Sequence, residues 1–214
     1  MIIMSNKEDL KKALKYSELM KSNHYEQAKK ISLKGIDLRN ANLENVYFIG
    51  ANLSNADLTS ANLRGSNLSN ANLRDVYLID ANLENADLKG INLIGANLTG
   101  ANLGYTDLTG VNLMGVNFAD ANLSYIILSG ATLSNANLIG ANLHCANLIN
   151  ANLFNANLSG ANLSYADLSK ANLKDVNFRN ADLTGVNFTN ANLTGANLRG
   201  ADLRGANLSD AKNI

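Results

Sequence analysis

Proline and tryptophan are absent from this 214-residue chain, and it holds one cysteine and two histidines. Without proline, no segment is forced into a polyproline rod or a kinked helix. With one thiol, Cys145, no intrachain disulfide can form, which fits a reducing compartment. Aromatic residues are only 6% of the chain, although 46% of it is hydrophobic. That apolar share is mostly Leu and Ala, which points to a thin, regular core. Net charge is missing too. Residues 1–30 carry seven Lys against four acidic residues, and residues 31–210 carry ten basic against fourteen acidic residues. Neither field is strong enough to draw in nucleic acid or an anionic membrane, so no direct nucleic-acid binding is expected. No apolar run approaches a membrane span, and Met1-Ile2-Ile3-Met4 is too short for a signal-peptide core. The expectation is a cytoplasmic protein that does not engage membranes.

What is present is a strict period of five. Residues 31–210 divide into 36 blocks, from ISLKG to ANLSD, without insertion or deletion. The third position is Leu in 32 blocks and Phe in four: Phe48, Phe118, Phe178 and Phe188. The first position is Ala in 24 blocks, the second is mostly Asn or Asp, and the fifth is Gly, Asn or Asp in 30. A helix would smear these Leu residues around its circumference, and an alternating strand would send successive ones to opposite faces. The period fits a chain that turns a corner every five residues with Leu always inside, so that four corners close a square coil of twenty residues. The fifth position would be the third residue of a type II turn, where positive φ favours Gly and tolerates Asn or Asp. Tyr105, Tyr125, Cys145, Tyr165 and Lys170 occupy that position, which predicts a different turn at those corners.

This A(N/D)LXX pattern resembles the pentapeptide-repeat family over about 180 residues. The resemblance implies an all-β fold: a right-handed quadrilateral parallel β-helix of about nine coils, roughly 43 Å long. The domain reading is a helical cap at 1–30, a solenoid at 31–210 and a tail at 211–214. Ser5 with Glu8 three residues on reads as a capping box, and the spacing of Leu10, Ala13, Leu14 and Leu19 predicts a helix over about 7–21. A second short helix is expected from Asn23–Glu26 to about Lys30. Such a cap would cover the open edge of the first coil. The tail is too short to cap the last coil, so Leu193, Leu198, Leu203 and Leu208 are expected at an open end, through which two molecules would form a C2 dimer.

Residues twenty apart form columns. One fifth-position column reads Asn85, Tyr105, Tyr125, Cys145, Tyr165, Gly185, so three tyrosines and the cysteine would line one edge. Aromatic residues are enriched at interfaces. From Ala121 to Ala166 there is no Asp, Glu, Lys or Arg. Fourth-position columns there read Ile94, Met114, Ser134, Phe154 and, on the next face, Ile79, Thr99, Ala119, Ile139. They offer a candidate apolar strip for a partner. His144 and Cys145 are too few for zinc, no phosphate-cradling glycine motif occurs, and no nucleophile–base pair has support from spacing. No cofactor is expected. The reading is a non-enzymatic scaffold that binds an unidentified protein. The alternative is a gyrase-binding protein that mimics DNA, because some proteins of this resemblance, the quinolone-resistance group, protect that enzyme. The chain departs from them in its weak negative charge and its uninterrupted repeats. An enzyme or metal-dependent module is the second alternative.

Overall fold

A computed structural model describes residues 6–212. Apart from two pairs at a seam described below, the second residue of each block pairs in parallel with its equivalent twenty residues on, from Asp37 with Asp57 to Asn192 with Lys212. Leu38 N–H donates to Asp57 C=O at 2.8 Å, and Asp57 N–H returns to Ile36 C=O at 2.9 Å. The architecture is a four-sided β-helix, but each side contributes one paired residue rather than an extended strand. A side five residues long spends the other four on its two corners, which leaves no room for more.

Corners close the same way throughout. The N–H of each block's first residue donates to the third-position C=O of the block before, as in Ala41 to Leu38 at 3.1 Å. All 36 fifth positions have positive φ, between +55° and +74°. With a hydrogen bond across four residues and positive φ only at the third, these are type II turns. The expectation of a different turn at the exceptional corners is corrected: φ is +61° at Tyr105, +58° at Tyr125, +55° at Cys145, and +60° at both Tyr165 and Lys170. The coil-to-coil ladder sets the backbone, and these side chains tolerate left-handed φ at a cost of about 1–2 kcal/mol each.

Third-position side chains from Leu33 to Leu193 are buried, as are first-position ones from Ile36 to Ala191. The face from Asn42 to Asn162 has Ala at every first position and carries the longest side-chain ladder. Each Asn Nδ2 there donates to the Oδ1 twenty residues earlier, over six successive bonds of 2.8–3.4 Å. The same Oδ1 accepts the N–H two residues on, as in Glu44 to Asn42 at 3.3 Å. Asn therefore serves the corner and the stack at once. The backbone pairing breaks at one seam, on two other faces. Among the described residues, neither Asp87 with Asp107 nor Asn92 with Asn112 pairs. There, two carboxylates meet in one column, and Ile91 faces Val111 where Ala is usual.

Helix α1, Lys7–Lys21, covers the first coil. Its N-cap is Asn6 rather than Ser5, which lies outside the described residues. Asn6 Oδ1 accepts the Glu8 N–H at 3.0 Å, satisfying a donor of the first turn. α1 ends in a Schellman motif: Asn23 at φ +60°, His24 N–H to Leu19 C=O, and Asn23 N–H to Met20 C=O. Helix α2, Tyr25–Ala28, is one turn long. Side chains of α1 replace the bonds that a preceding coil would make. Asp9 Oδ2 accepts Asp37 N–H at 3.0 Å, Ser17 Oγ accepts Tyr47 N–H at 2.9 Å, and Tyr16 donates to Ile49 C=O at 3.0 Å. Burial raises the Tyr16 phenol above its ordinary pKa, which keeps it the donor this bond needs.

At the far end, Leu193 N–H donates to Lys212 C=O, so the ladder runs past 210. Leu193 is 1% exposed and is no part of an open end, because Ala211 and Lys212 begin a further turn over it. Leu198, Leu203 and Leu208 are only partly buried.

Candidate functional site

The solenoid leaves the fourth and fifth positions outward, and four residues on one corner converge there. Tyr105 and Tyr125 stack with ring centroids 4.9 Å apart and planes 4° from parallel. Their fixed separation is one coil step. His144 meets Tyr125 edge-on at 5.6 Å and Tyr165 edge-on at 5.9 Å. The four rings form one continuous row across four coils. Tyr105, Tyr125 and Tyr165 are 58%, 45% and 63% exposed. The row ends where the Tyr165 ring folds over Gly185, where an added Cβ would lie 2.8 Å from the ring.

Hydrogen bonds orient the imidazole. Ser164 Oγ donates to Asn162 Oδ1 at 2.7 Å, so it receives the Nδ1 proton of His144 at 2.8 Å. Nε2 is then the acceptor facing the Cys145 thiol, with Sγ at 3.3 Å. Asn162 belongs to the continuous Asn ladder, so the row is tied to the stack beneath it. No His, Cys, Asp or Glu group large enough for a metal ion occurs among the described residues. What the row offers chemically is aromatic faces, one hydroxyl per tyrosine, and no formal charge between 121 and 166.

The second candidate strip does not assemble in the same way. Met114 and Phe154 are exposed in one column, while Ser134 between them is buried. Ile94 is half-buried. Ile139 is exposed but stands on the adjacent face, and the Lys174 ammonium lies 5.9 Å from the Phe154 ring centroid. His144, dismissed as a metal ligand, is the residue that joins the tyrosines. Reading the fourth- and fifth-position columns side by side would have found it. Ile127, exposed two residues beyond Tyr125, widens the patch onto the next face.

The class is thus a four-sided β-solenoid built from five-residue units. The pentapeptide repeats model matches residues 33–76, 77–115, 117–153, 141–180, 151–190 and 171–210. The chain belongs to the pentapeptide repeat family. Among solved structures, it is 33% identical to HetL of the cyanobacterium Nostoc sp. strain PCC 7120, described as involved in heterocyst differentiation regulation. That alignment covers 80% of this chain and 86% of HetL, with a TM-score of 0.32. A pentapeptide repeat protein of the Arabidopsis thaliana thylakoid lumen is 38% identical over 44% of this chain and 66% of its own length, with a TM-score of 0.44. Full-length QnrB1, a plasmid-mediated fluoroquinolone resistance protein, is 22% identical over 77% of this chain and 84% of its own, with a TM-score of 0.43. No curated protein matches.

Proposed function

We propose that the chain is a non-enzymatic scaffold and that its aromatic corner docks a protein partner. The observation that carries this is the contact row Tyr105–Tyr125–His144–Tyr165, in which Tyr125, His144 and Tyr165 lie within a stretch lacking formal charge. Aromatic residues held rigid by their neighbours lose little conformational entropy on binding and supply large contact areas. Scattered exposed side chains need no explanation, but four rings in mutual contact are not scattered. The row therefore outranks the Ile94, Met114, Phe154 and Ile139 strip, whose members the fold separates or covers.

The test replaces Tyr105, Tyr125 and Tyr165 together by Asn, a common resident of this corner position, so the backbone is retained. Cross-linked capture from native extract is run with the wild-type chain, this triple variant and a Phe154→Asp/Ile139→Asp variant. The expected result is a partner kept by wild type and by the Asp variant and lost by the triple variant. Retention by the triple variant refutes the assignment of the site. A gyrase supercoiling assay is run beside it. The repeat region's small excess of acidic residues is too weak to mimic duplex phosphate, so no inhibition is expected at equimolar protein. Inhibition there would favour the topoisomerase reading instead.

A further inference from the structure

Two adjoining cavities lie where the cap meets the first coil. The larger, about 470 Å³, sits between Tyr16 and Met20 of α1, Tyr25 and Glu26 of α2, Lys29 just after it, and the Ile49–Gly50 corner. The smaller, about 260 Å³, shares Tyr16, Lys29 and Gly50 and continues to Lys30, Ser32 and Asn52. They form one groove because α2 is a single turn that buries only Ala28. At Gly50, φ is +63° and nothing lies within 4 Å of where a Cβ would stand, so the floor is open backbone. The wall is preformed: the Tyr16 hydroxyl is bonded to Ile49 C=O, and its ring leans on Phe48 at 6.1 Å.

The two ends of the groove differ in chemistry. Met20, Ile49 and the tyrosine rings make one end apolar. At the other end, Lys29 is paired with Glu26 at 2.8 Å, but Lys30 makes no ion pair among the described residues. Asn52 heads its column there. Its Oδ1 accepts Asn72 Nδ2 at 3.2 Å. The residue twenty earlier is Ser32 rather than an Asn, and the exposed Asn52 Nδ2 has no protein acceptor among the described residues. An ammonium and an unused amide donor thus stand at the mouth of an apolar groove.

We propose that this groove binds a small amphipathic anion, an alkyl or aryl carboxylate. Its apolar body lies along Met20, Tyr16 and Ile49, and its carboxylate is held by Lys30 Nζ and Asn52 Nδ2. The volume is within the range of small-molecule sites, and their usual composition is an apolar lining with a few placed polar groups. This site is separate from the aromatic corner and does not depend on its role.

The experiment is titration calorimetry of the full chain with octanoate, with 1-octanol and octylammonium as the neutral and cationic controls. Octanoate is expected to bind at one site, and the controls about tenfold or more weaker, as loss of a charge-assisted hydrogen bond requires. Lys30→Gln is expected to weaken octanoate about tenfold. Gly50→Asn puts a side chain on the open floor and is expected to abolish binding. Asn is already the resident at positive-φ corners such as Asn40, Asn45 and Asn55, so the variant keeps its fold, checked by circular dichroism. Tyr165→Asn is expected to bind as wild type. The proposal is overturned by no octanoate binding to the wild-type chain, by equal binding of octylammonium, by a folded Gly50→Asn variant that binds normally, or by loss of binding in Tyr165→Asn.

Discussion

Replacing Ser66 by Ala should stabilise the protein. Ser66 fills a first position, where 24 of the 36 blocks carry Ala. Its side chain is fully buried, and its Oγ has no hydrogen-bond partner. Two coils on in the same column, Thr106 is buried as well, but its Oγ1 donates to Leu103 C=O at 2.7 Å. A buried hydroxyl without a partner costs about 1–3 kcal/mol. Ser→Ala deletes one oxygen and leaves the methyl that every neighbouring Ala presents, so no cavity term opposes the gain. The expected change is about 1–2 kcal/mol, or roughly 3–6 °C in melting temperature for a chain of this size. The assay is guanidinium unfolding followed by far-UV circular dichroism, comparing midpoints at unchanged slope. Thr106→Val is the control. It loses a satisfied hydroxyl, so its midpoint should stay within about 1 kcal/mol of wild type and below that of Ser66→Ala. An unchanged or lower midpoint for Ser66→Ala would refute the reasoning and would mean that the hydroxyl bonds Leu63 C=O as Thr106 bonds Leu103.

Two further outcomes follow from the corners and the last coil. Gly95→Ala and Gly110→Ala both place a Cβ at positive φ, +72° and +68°, but an added Cβ meets the Asp75 carboxylate at Gly95 and nothing within 4 Å at Gly110. Gly110→Ala should cost about 1–2 kcal/mol and Gly95→Ala measurably more. In an Asp75→Gly background, where the carboxylate is gone and the positive-φ corner is kept, Gly95→Ala should cost no more than Gly110→Ala does in the wild-type chain. For the last coil, we propose a C2 dimer through the partly buried Leu198, Leu203 and Leu208. Light scattering should then give twice the chain mass at micromolar concentration, and Leu203→Arg should give a monomer. A wild-type monomer would dispose of the dimer.

The repeat was legible because each position has one job. The third-position Leu or Phe, the small first position and the left-handed fifth position each leave a period of five in the letters, and their agreement leaves few alternative folds. The cap helix was legible from its spacing, but its start was not. Ser5 and Asn6 are both competent N-cap types, so the letters do not separate them; in the structure the Asn6 side chain accepts the Glu8 N–H, and Asp9 and Ser17 meet the first coil. The prediction of aberrant corners at the tyrosines failed for a physical reason. Residue preference at positive φ amounts to about 1–2 kcal/mol, whereas each of these corners is held by bonds to the coils on both sides. At the aromatic corner, the tyrosine column could be read by counting in twenties. The role of His144 was missed, because it sits one position earlier and shows only when the fourth- and fifth-position columns are set side by side; it joins the row through edge-on ring contacts. The groove under α2 has no signature at all, since it follows from how a one-turn helix stands off a coil.

This division of labour also bears on how such a chain can recognise anything. First and third positions are committed to the core and most second positions to the ladder, so variation falls mainly on two residues in five, with exposed second-position exceptions at Tyr77 and Ile127. Those residues are read in columns whose spacing the backbone sets, about 4.8 Å per coil, and no loop interrupts 31–210 to add reach. A partner therefore meets a row that does not reshape itself, and discrimination has to come from which side chains occupy the row. The uncharged stretch from 121 to 166 then has a clear consequence. It removes long-range steering, which depends on charge, and leaves short-range contact with rings already fixed by one another. Such a surface should associate slowly, hold its partner mainly through a low dissociation rate, and respond little to ionic strength. A strongly salt-dependent association would point to the basic cap instead, where seven of the chain's 18 Lys and Arg residues lie.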